Sequence, residues 1–547
     1  MLPGRVRRSR RSHGWTLTAL FIGGVLVGGL APPAAAAPLT VGFRDHTYAD
    51  YEPTADNQQS KLWFHDGSWW GVLSRLSESG DGEVTIHRLE LATQIWIDTS
   101  VVVEGRKNAS LDALADGSKL YVASSRGTSK ESRNRAVRVS SYTYDAGAKR
   151  YTPDPGFPVD IAEGEVEAVV IDRDGVGTLW ATFVQNGRVM VTHTSGAASN
   201  WVAPYVLPVG RPASVRAEPK ADQSAIVRFS ENRIGIMFSS QVSGLGRGVV
   251  YWATHNDNTN DRTWSLTKVF AGEKLRQINL KAVPGDSAAQ VVAALKTSPR
   301  NSSRGVVVVL RLLGDGTWTS HPFNAVADNH ARPVVQVDVE NRTVYVLATS
   351  PCCGSEAVYV KAANLDNLSF SSGPGTRFIQ SATDANIGNP TGTKQTVGSA
   401  SGLLALGADG ISDVYVHNYK AVAVSVPGAP PAANAPGSGP VPGAAVGSPA
   451  FSASPGTDVL PSATSGRGSV AAREPPYVER VSTLARSSPP QASYFGWFGR
   501  FIAFTGADIL TLVNAAAAAL LVGIGTVAAA RRRRRARAPS GTGVTVQ

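Results

Sequence analysis

The stretch Leu179-Trp180-Ala181-Thr182, followed after a turn by Arg188-Val189-Met190-Val191, decides the fold because its pattern recurs through most of the chain. Each copy is a short apolar strand that follows a turn, and a further strand comes next. Copies recur at intervals of about 50 to 60 residues, the spacing of a structural repeat. The first strand of each copy lies at 69–73, 120–123, 179–182, 234–238, 291–295, 344–348 and 403–406.

These repeats predict an all-β fold, a β-propeller of seven four-stranded blades spanning residues 38–424. One such unit cannot bury both faces of its sheet alone, so neighbouring sheets stack around a central axis. The last unit lacks an outer strand, and Leu39-Thr40-Val41-Gly42-Phe43 is predicted to supply it and close the ring. Six or eight blades are the nearest alternatives, and two β-sandwich domains would leave the near-equal units unexplained.

The N-terminal segment has the features of a secretory signal. The whole chain carries 53 Lys and Arg against 42 Asp and Glu, but residues 1–37 contain five Arg and no acid. An apolar run from Trp15 to Ala31 follows, and then small residues that include Ala34-Ala35-Ala36. This order predicts a signal peptide at 1–37, with an uncleaved membrane helix as the alternative. Since the residues between the two basic ends are nearly neutral, no nucleic-acid partner is expected.

The C-terminal end predicts an anchor. Residues 509–530 form an apolar run of transmembrane length, and 531–547 form a basic tail that begins with Arg531–Arg535. Upstream, in the segment 493–508, stands Ile502-Ala503-Phe504-Thr505-Gly506. It resembles the cell-wall sorting signal of Gram-positive bacteria, of LPXTG type and closer to its LAXTG form. The resemblance implies a sortase that cleaves between Thr505 and Gly506, and an uncut single-pass membrane anchor is the alternative.

A spacer separates the predicted propeller from this anchor. Residues 425–492 are rich in Pro, Ala, Gly and Ser, as in the run Pro427-Gly-Ala-Pro-Pro-Ala-Ala-Asn-Ala-Pro. Such a composition has too little apolar bulk to form a core, so we expect a disordered stalk. The sequence therefore predicts an extracellular propeller held to the cell wall or plasma membrane by its C-terminus.

Candidate ligand-binding residues are predicted on one face of the ring. In β-propellers the innermost strands all begin on one face, called here the top face, which also carries the loops between second and third strands. The predicted top-face residues for ligand contact are Lys61, Arg126, Arg332, Lys394 and Gln395. Their basic character suits an anionic glycan or wall polymer.

Two adjacent cysteines, Cys352 and Cys353, fall in one of the top-face loops. In an exported protein this pair is predicted to form a vicinal disulfide, which would stiffen the loop. A free thiol pair is the alternative.

The predicted body resembles the sialidase-like propeller superfamily in architecture, and Thr263-Trp264 and Thr317-Trp318 are similar to the Thr-Trp ending of sialidase turns. That resemblance implies a carbohydrate-active hydrolase or lyase as the alternative to a binding module. The candidate acids are Asp112, Glu165 and Glu167, the last two spaced to share one face of a strand.

No cofactor or metal is expected, although the loop from His255 to Asp261 has calcium-binding composition without the EF-hand spacing. The sequence thus predicts a monomeric, surface-anchored propeller that binds an anionic polymer, with a glycoside hydrolase or polysaccharide lyase as the alternative.

Overall fold

The computed structural model describes residues 41–424 except 51–52, 56–57, 77–81, 127–134, 167, 215–222, 243–246, 274, 298–304, 351–356 and 384–386. The described residues form 29 strands in seven sheets, which confirms the predicted seven-bladed, all-β propeller. A four-residue helix, α1 (Arg211–Ser214), and a 3₁₀ turn (Val326–Asp328) are the helical segments described. In this part of the chain, no helix is long and apolar enough to cross a membrane.

Blades one to three follow each other along the chain. Blade one consists of β2 (Leu62–His65), β3 (Ser68–Leu76), β4 (Gly82–Glu90) and β5 (Ile95–Glu104). Blade two consists of β6 (Ala109–Asp116), β7 (Lys119–Arg126) and β8 (Val137–Asp145), with β9 (Arg150–Pro153) and β10 (Val159–Ala162) both paired to β8. Blade three consists of β11 (Val169–Arg173), β12 (Leu179–Gln185), β13 (Arg188–His193) and β14 (Tyr205–Val206).

The next three blades are regular four-stranded meanders. Blade four consists of β15 (Ser224–Ser230), β16 (Arg233–Val242), β17 (Arg247–Asn256) and β18 (Ser265–Glu273). Blade five consists of β19 (Arg276–Ala282), β20 (Ala289–Lys296), β21 (Val307–Leu313) and β22 (Trp318–Pro322). Blade six consists of β23 (Ala331–Asp338), β24 (Thr343–Ser350), β25 (Ala357–Asn364) and β26 (Thr376–Ile379).

The seventh blade combines the two ends of the described chain. It consists of β27 (Gly388–Thr391), β28 (Leu403–Asp409), β29 (Val414–Lys420) and β1 (Phe43–Thr47), with Phe43 opposite His417. The predicted closure is therefore present, but the strand begins at Phe43 and not at Leu39. Gly42 has φ +99°, and a side chain there would meet the carbonyl oxygen of His417 at 2.5 Å. The turn at Gly42 thus sets where the closing strand begins.

Both faces of each sheet are buried against neighbouring blades. Between blades one and two, Trp70 packs edge-on against Tyr151 with ring centroids 5.2 Å apart. Between blades four and five, Trp252 and Trp318 pack at 5.5 Å. Gly235 makes this packing fit, because a Cβ there would lie 2.1 Å from the Trp252 ring. The apolar core is thus a ring of interfaces between sheets.

The innermost strands of successive blades contact each other around the axis. They are β2, β6, β11, β15, β19, β23 and β27, and a bridge between Leu62 and Thr393 joins the last blade to the first. Each of them starts on the top face, so the residues at their first positions share that face. This arrangement positions the candidate functional residues described next.

Candidate functional site

The axis of the ring holds a buried ion pair at Asp112. This carboxylate is 0 % exposed and accepts hydrogen bonds from the backbone N–H groups of Ser60 and Ile171, both at 2.8 Å. Lys394 Nζ lies 2.9 Å from Asp112 Oδ2. Asp112 therefore links blades one, two, three and seven, and its role as a candidate catalytic acid stays a prediction.

A second lysine lies in the same dry region. Lys281 Nζ donates to Ser60 Oγ at 3.1 Å, and both side chains are buried. Burial lowers the pKa of Lys281 to about 7, and the positive charge of Lys394 adds to the effect, while Asp112 and Asp172 oppose it. Burial likewise raises the pKa of Asp172, with Lys394 opposing this shift. Lys281, Ser60, Asp112 and Lys394 thus form one connected group of polar contacts at the axis.

Two further predicted ligand residues contact the protein itself. Lys61 is buried, and its Nζ donates to the carbonyl oxygens of Ala55 at 2.8 Å and Leu111 at 3.2 Å. The side-chain amide of Gln395 pairs with the backbone of Phe64, accepting at 2.7 Å and donating at 3.1 Å. These contacts join neighbouring blades, and a ligand-binding role for Lys61, Lys394 and Gln395 stays a prediction.

Arg332 belongs to a group of three basic residues, called here the cationic cluster: Arg276, Lys296 and Arg332. Arg276 begins β19 and lies opposite Lys296, the last residue of β20, in the register of blade five. Arg332 is the second residue of β23 in blade six, and its backbone N–H donates to Gln277 Oε1 at 2.8 Å. The cluster therefore lies at the top face between blades five and six.

The charges of the cluster act on one another. The pKa of Lys296 is lowered by burial and then by the positive charges of Arg332 and Arg276. Arg276 is exposed, whereas Lys296 and Arg332 are half-buried. Among the described residues, no carboxylate forms an ion pair with any of the three. The cluster is thus a local concentration of positive charge in a nearly neutral propeller.

Local backbone geometry holds the cluster in place. Gln277 has φ +57° and Arg332 has φ +56°, a left-handed conformation that is unusual for residues other than glycine. Both lie where the pairing register shifts at the start of an innermost strand. Below them, Asn279 Oδ1 accepts the backbone N–H of Val335 at 2.9 Å. Strained conformations that the surrounding structure fixes in this way are enriched at functional sites.

Of the other two candidate acids, the structure describes Glu165. Glu165 lies in the connection between β10 and β11, not on a strand, and it forms an ion pair with Arg135. The next strand, β11, begins only at Val169, so Glu165 is not on a strand, and its convergence with Glu167 stays a prediction. Glu167 and the Cys352–Cys353 pair lie outside the described residues, as do Thr505 and Gly506.

Arg126 ends β7 on the top face, opposite Ala109, and is half-buried. Its Nε is buried and has no hydrogen-bond partner among the described residues. Arg126 thus stays a candidate for ligand contact, separate from the cationic cluster.

The opposite face carries a cavity and the candidate calcium loop. A cavity of about 540 Å³ lies between the turns that follow β15 and β19, lined by Phe229, Pro284 and Asp286 among others. In the candidate calcium loop, Asp257 Oδ2 accepts the backbone N–H of Gly175 at 2.8 Å. Within the described ranges, no three His, Cys, Asp or Glu side chains are grouped to hold a metal ion.

No protein-family model matches the sequence, and no curated protein matches it either. Among solved structures, a similar one is an ulvan lyase of polysaccharide lyase family PL25, at TM-score 0.44 and 11% identity over 70% of this chain and 97% of that chain. The α-L-arabinanase of Penicillium chrysogenum has TM-score 0.38 and 12% identity, covering 61% and 100%. The α-L-arabinofuranosidase of Fusarium graminearum has TM-score 0.38 and 10% identity, covering 60% and 99%.

These neighbours are carbohydrate-active enzymes, and the similarity concerns fold alone. This similarity does not distinguish a non-catalytic binding protein from an enzyme. Fold and site define the chain as a seven-bladed β-propeller with a cationic cluster on its top face.

Of the three residues of the cluster, only Arg332 is among the candidates predicted from the sequence. Arg276 and Lys296 are not among them. The sequence does contain a signal for the cluster: two successive innermost strands, β19 and β23, each have an arginine at or next to their first residue.

Proposed function

We propose that this protein binds an anionic glycan or wall polymer on the top face of its propeller, and that the cationic cluster is the main contact. The observation that carries the proposal is the position of Arg276, Lys296 and Arg332 beside one another without a described acidic partner. Cations that lack a protein counter-charge are favourable contacts for sulfate, phosphate or carboxylate groups.

The proposal agrees with the distribution of charge over the molecule. Since the propeller is nearly neutral overall, long-range attraction of a polyanion must come from local clusters and not from net charge. Arg276 and Arg332 stand on strands of defined register, and a guanidinium group offers a planar fork of donors that matches carboxylate and phosphate groups. We therefore expect the cationic cluster to bind the charged groups of the polymer, while the rest of the polymer makes weaker contacts with the top face.

We also propose that the propeller is exported and tethered through residues 425–547. The last described residues lie on the face opposite the cluster, because Asn341 Nδ2 donates to the carbonyl oxygen of Ala423 at 3.0 Å. Asn341 is in the turn between β23 and β24, at the far ends of these strands. A tether that starts there would leave the top face accessible to a polymer.

The test uses the fragment 38–424, which contains all seven blades and the closing strand. Its binding to immobilised polygalacturonate is measured by surface plasmon resonance at low and high salt. Arg332→Gln and Arg276→Gln should each weaken binding about 3- to 10-fold, and added salt should weaken it further. Lys420→Gln, which removes an exposed charge at the end of β29, is the matched control and should bind normally.

The same fragment is assayed for release of reducing ends or unsaturated products from this polymer. Turnover would establish the hydrolase or lyase alternative. Equal binding by the wild type and both arginine variants would contradict the proposed site.

A further inference from the structure

The closing strand β1 contacts blade one through two stacked histidines. His46 on β1 and His87 on β4 lie with ring centroids 4.7 Å apart and with their planes within 1° of parallel. His87 is buried, whereas His46 is half-buried. Release of β1 would therefore remove the ring that packs on His87 and expose its imidazole to water.

Both ring nitrogens of His46 have a partner. Nδ1 lies 2.7 Å from Asp45 Oδ1, and Nε2 lies 3.2 Å from the carbonyl oxygen of Ser74 on β3. Burial opposes ionisation of Asp45, but hydrogen bonds from His46 and from the backbone N–H of Trp96 outweigh it and lower the pKa of Asp45. Because an ionised carboxylate and a carbonyl oxygen only accept hydrogen bonds, both nitrogens of His46 donate. His46 is thus an imidazolium cation in this arrangement.

His87 is the neutral ring of the stack. Its Nδ1 donates to the carbonyl oxygen of Thr85 at 3.2 Å. Asp98 lies opposite His87 in the register of β4 and β5, but its carboxylate already pairs with Arg75. Burial lowers the pKa of His87 to about 4, and the charge of His46 lowers it further, while Asp98 and Asp45 oppose this shift. A second positive charge in the stack is therefore unfavourable as long as β1 stays in place.

A third histidine lies on the other side of β1. His417 on β29 is buried and stacks on Phe43 of β1, with ring centroids 5.6 Å apart. Burial lowers the pKa of His417 to about 4, and Asp45 opposes this shift. The described elements packed against the three histidines also bring these titratable or charged side chains: Asp45 on β1, Arg75 on β3, Glu83 on β4, Asp98 on β5 and Tyr415 on β29.

We infer that β1 is a pH-sensitive latch of the propeller, held in place by the His46–His87 stack while His87 is neutral and released in acid when His87 and His417 take up protons. When β1 leaves, His87 loses the ring of His46 and His417 loses Phe43. Both imidazoles then bind protons near their ordinary pKa of 6.5, whereas in the closed ring they do so only near 4. Between these two pH values the open state binds more protons, so closure weakens as the pH falls. This inference does not depend on the proposed function.

Hydrogen–deuterium exchange of the 38–424 fragment at pH 7.0 and 4.5 measures the opening of β1, after correction for the pH dependence of intrinsic amide exchange. The peptide 43–48 should open at least about tenfold more at pH 4.5 than at pH 7.0. The peptide 289–296, which covers β20 in blade five, is the internal control and should change by less than about threefold.

Two variants test whether the stack senses the pH. His87→Phe keeps an aromatic ring against His46 but binds no proton, so most of the acid response should disappear. His46→Gln removes the cation beside His87 and weakens the contacts with Asp45 and Ser74, so β1 should open more at pH 7.0 and respond less to acid. His321→Phe, at a half-buried histidine on β22 in blade five, is the matched control and should open in acid like the wild type.

Three outcomes would overturn the latch. In the first, the peptide 43–48 of the wild type opens no more at pH 4.5 than at pH 7.0. In the second, the peptide 289–296 responds as strongly as 43–48, which would mean general unfolding in acid. In the third, His87→Phe and His46→Gln both keep the full acid response, so that other groups sense the pH.

Discussion

Lys281 shows at the scale of one residue how the closed axis changes the chemistry of a side chain. Its ammonium group contacts Ser60 Oγ, and the positive charge of Lys394 lowers its pKa further. In water this lysine would be charged at any physiological pH, but burial lowers its pKa to about 7. The folded protein therefore binds fewer protons here than the unfolded chain does above neutral pH.

The stability of the propeller should consequently rise with pH above neutrality. Below pH 7, Lys281 is protonated in both states, and the cost of burying its charge is fully present. Between about pH 7 and 10.5 the unfolded chain binds the extra proton, so the free energy of unfolding increases by up to about 1.4 kcal/mol per pH unit. Urea denaturation of the 38–424 fragment from pH 6 to 9.5 measures this slope.

Lys281→Met should reduce that slope, because the buried ammonium group is gone. Lys420→Gln, an exposed change, should leave it intact. If the free energy of unfolding of the wild-type fragment stays constant or falls between pH 7 and 9, the lowered pKa of Lys281 is contradicted.

At the scale of elements, the innermost strands are tied together by one repeated device. A buried side chain on one strand accepts the backbone N–H of the next blade's innermost strand. Asp112 accepts from Ile171, Asp172 from Arg228 and Asn279 from Val335, at 2.8 to 2.9 Å. These bonds satisfy backbone donors that no strand pairing reaches, and they fix how far each blade rotates about the axis.

Replacing Asp112 by Asn should test this device. The variant leaves Lys394, whose side chain is 16 % exposed, without its partner. Breaking a fully buried ion pair costs about 3 to 5 kcal/mol, which is the upper range of the loss that we expect. Chemical denaturation should show that loss, while circular dichroism shows an intact β fold. Asp145→Asn, at the exposed end of β8, keeps the Oδ1 atom that accepts the backbone N–H groups of Gly147 and Ala148, and it should change stability by less than about 0.5 kcal/mol.

A double variant makes the test sharper. Asp112→Asn combined with Lys394→Met should regain part of the lost stability, since no unpaired buried charge is left. Unchanged stability in Asp112→Asn would show that the ion pair does not hold the blades.

At the scale of the whole molecule, the ring depends on the pairing of β1 with β29. Arg44 on β1 donates to Asp409 Oδ2 at 3.1 Å, and Tyr48 OH donates to the carbonyl oxygen of Asp409 at 2.9 Å. The Arg44–Asp409 pair joins two segments that lie far apart in the sequence. An open ring would expose the edge of β29 and the interface between blades seven and one.

Deleting residues 38–47 should therefore destabilise the entire propeller. We expect the truncated fragment to aggregate, or to melt at least about 10 °C lower and without a sharp transition. As a control, removing only residues 38–40 should have little effect. Size-exclusion chromatography and thermal circular dichroism measure both. A truncated fragment that melts like the full one would show that the ring does not need its closing strand.

The sequence by itself determined the class of fold and the number of blades. Each strand and turn is specified by neighbouring residues, as in the repeated pattern around Trp180, so the period appears without any tertiary information. Closure by the N-terminal segment was also predictable. The start of the closing strand was not, because it depends on how Gly42 fits against His417, a contact between remote segments.

Only the tertiary structure decided which polar residues act together. Asp112 and Gln395 are ordinary polar residues in the sequence. Neighbouring blades bury Asp112, half-bury Gln395 and occupy the hydrogen-bonding atoms of both. Arg276 and Lys296 become neighbours of Arg332 through strand register and a left-handed backbone turn. Spatial grouping of charges depends on packing between blades, and local sequence preference does not encode it.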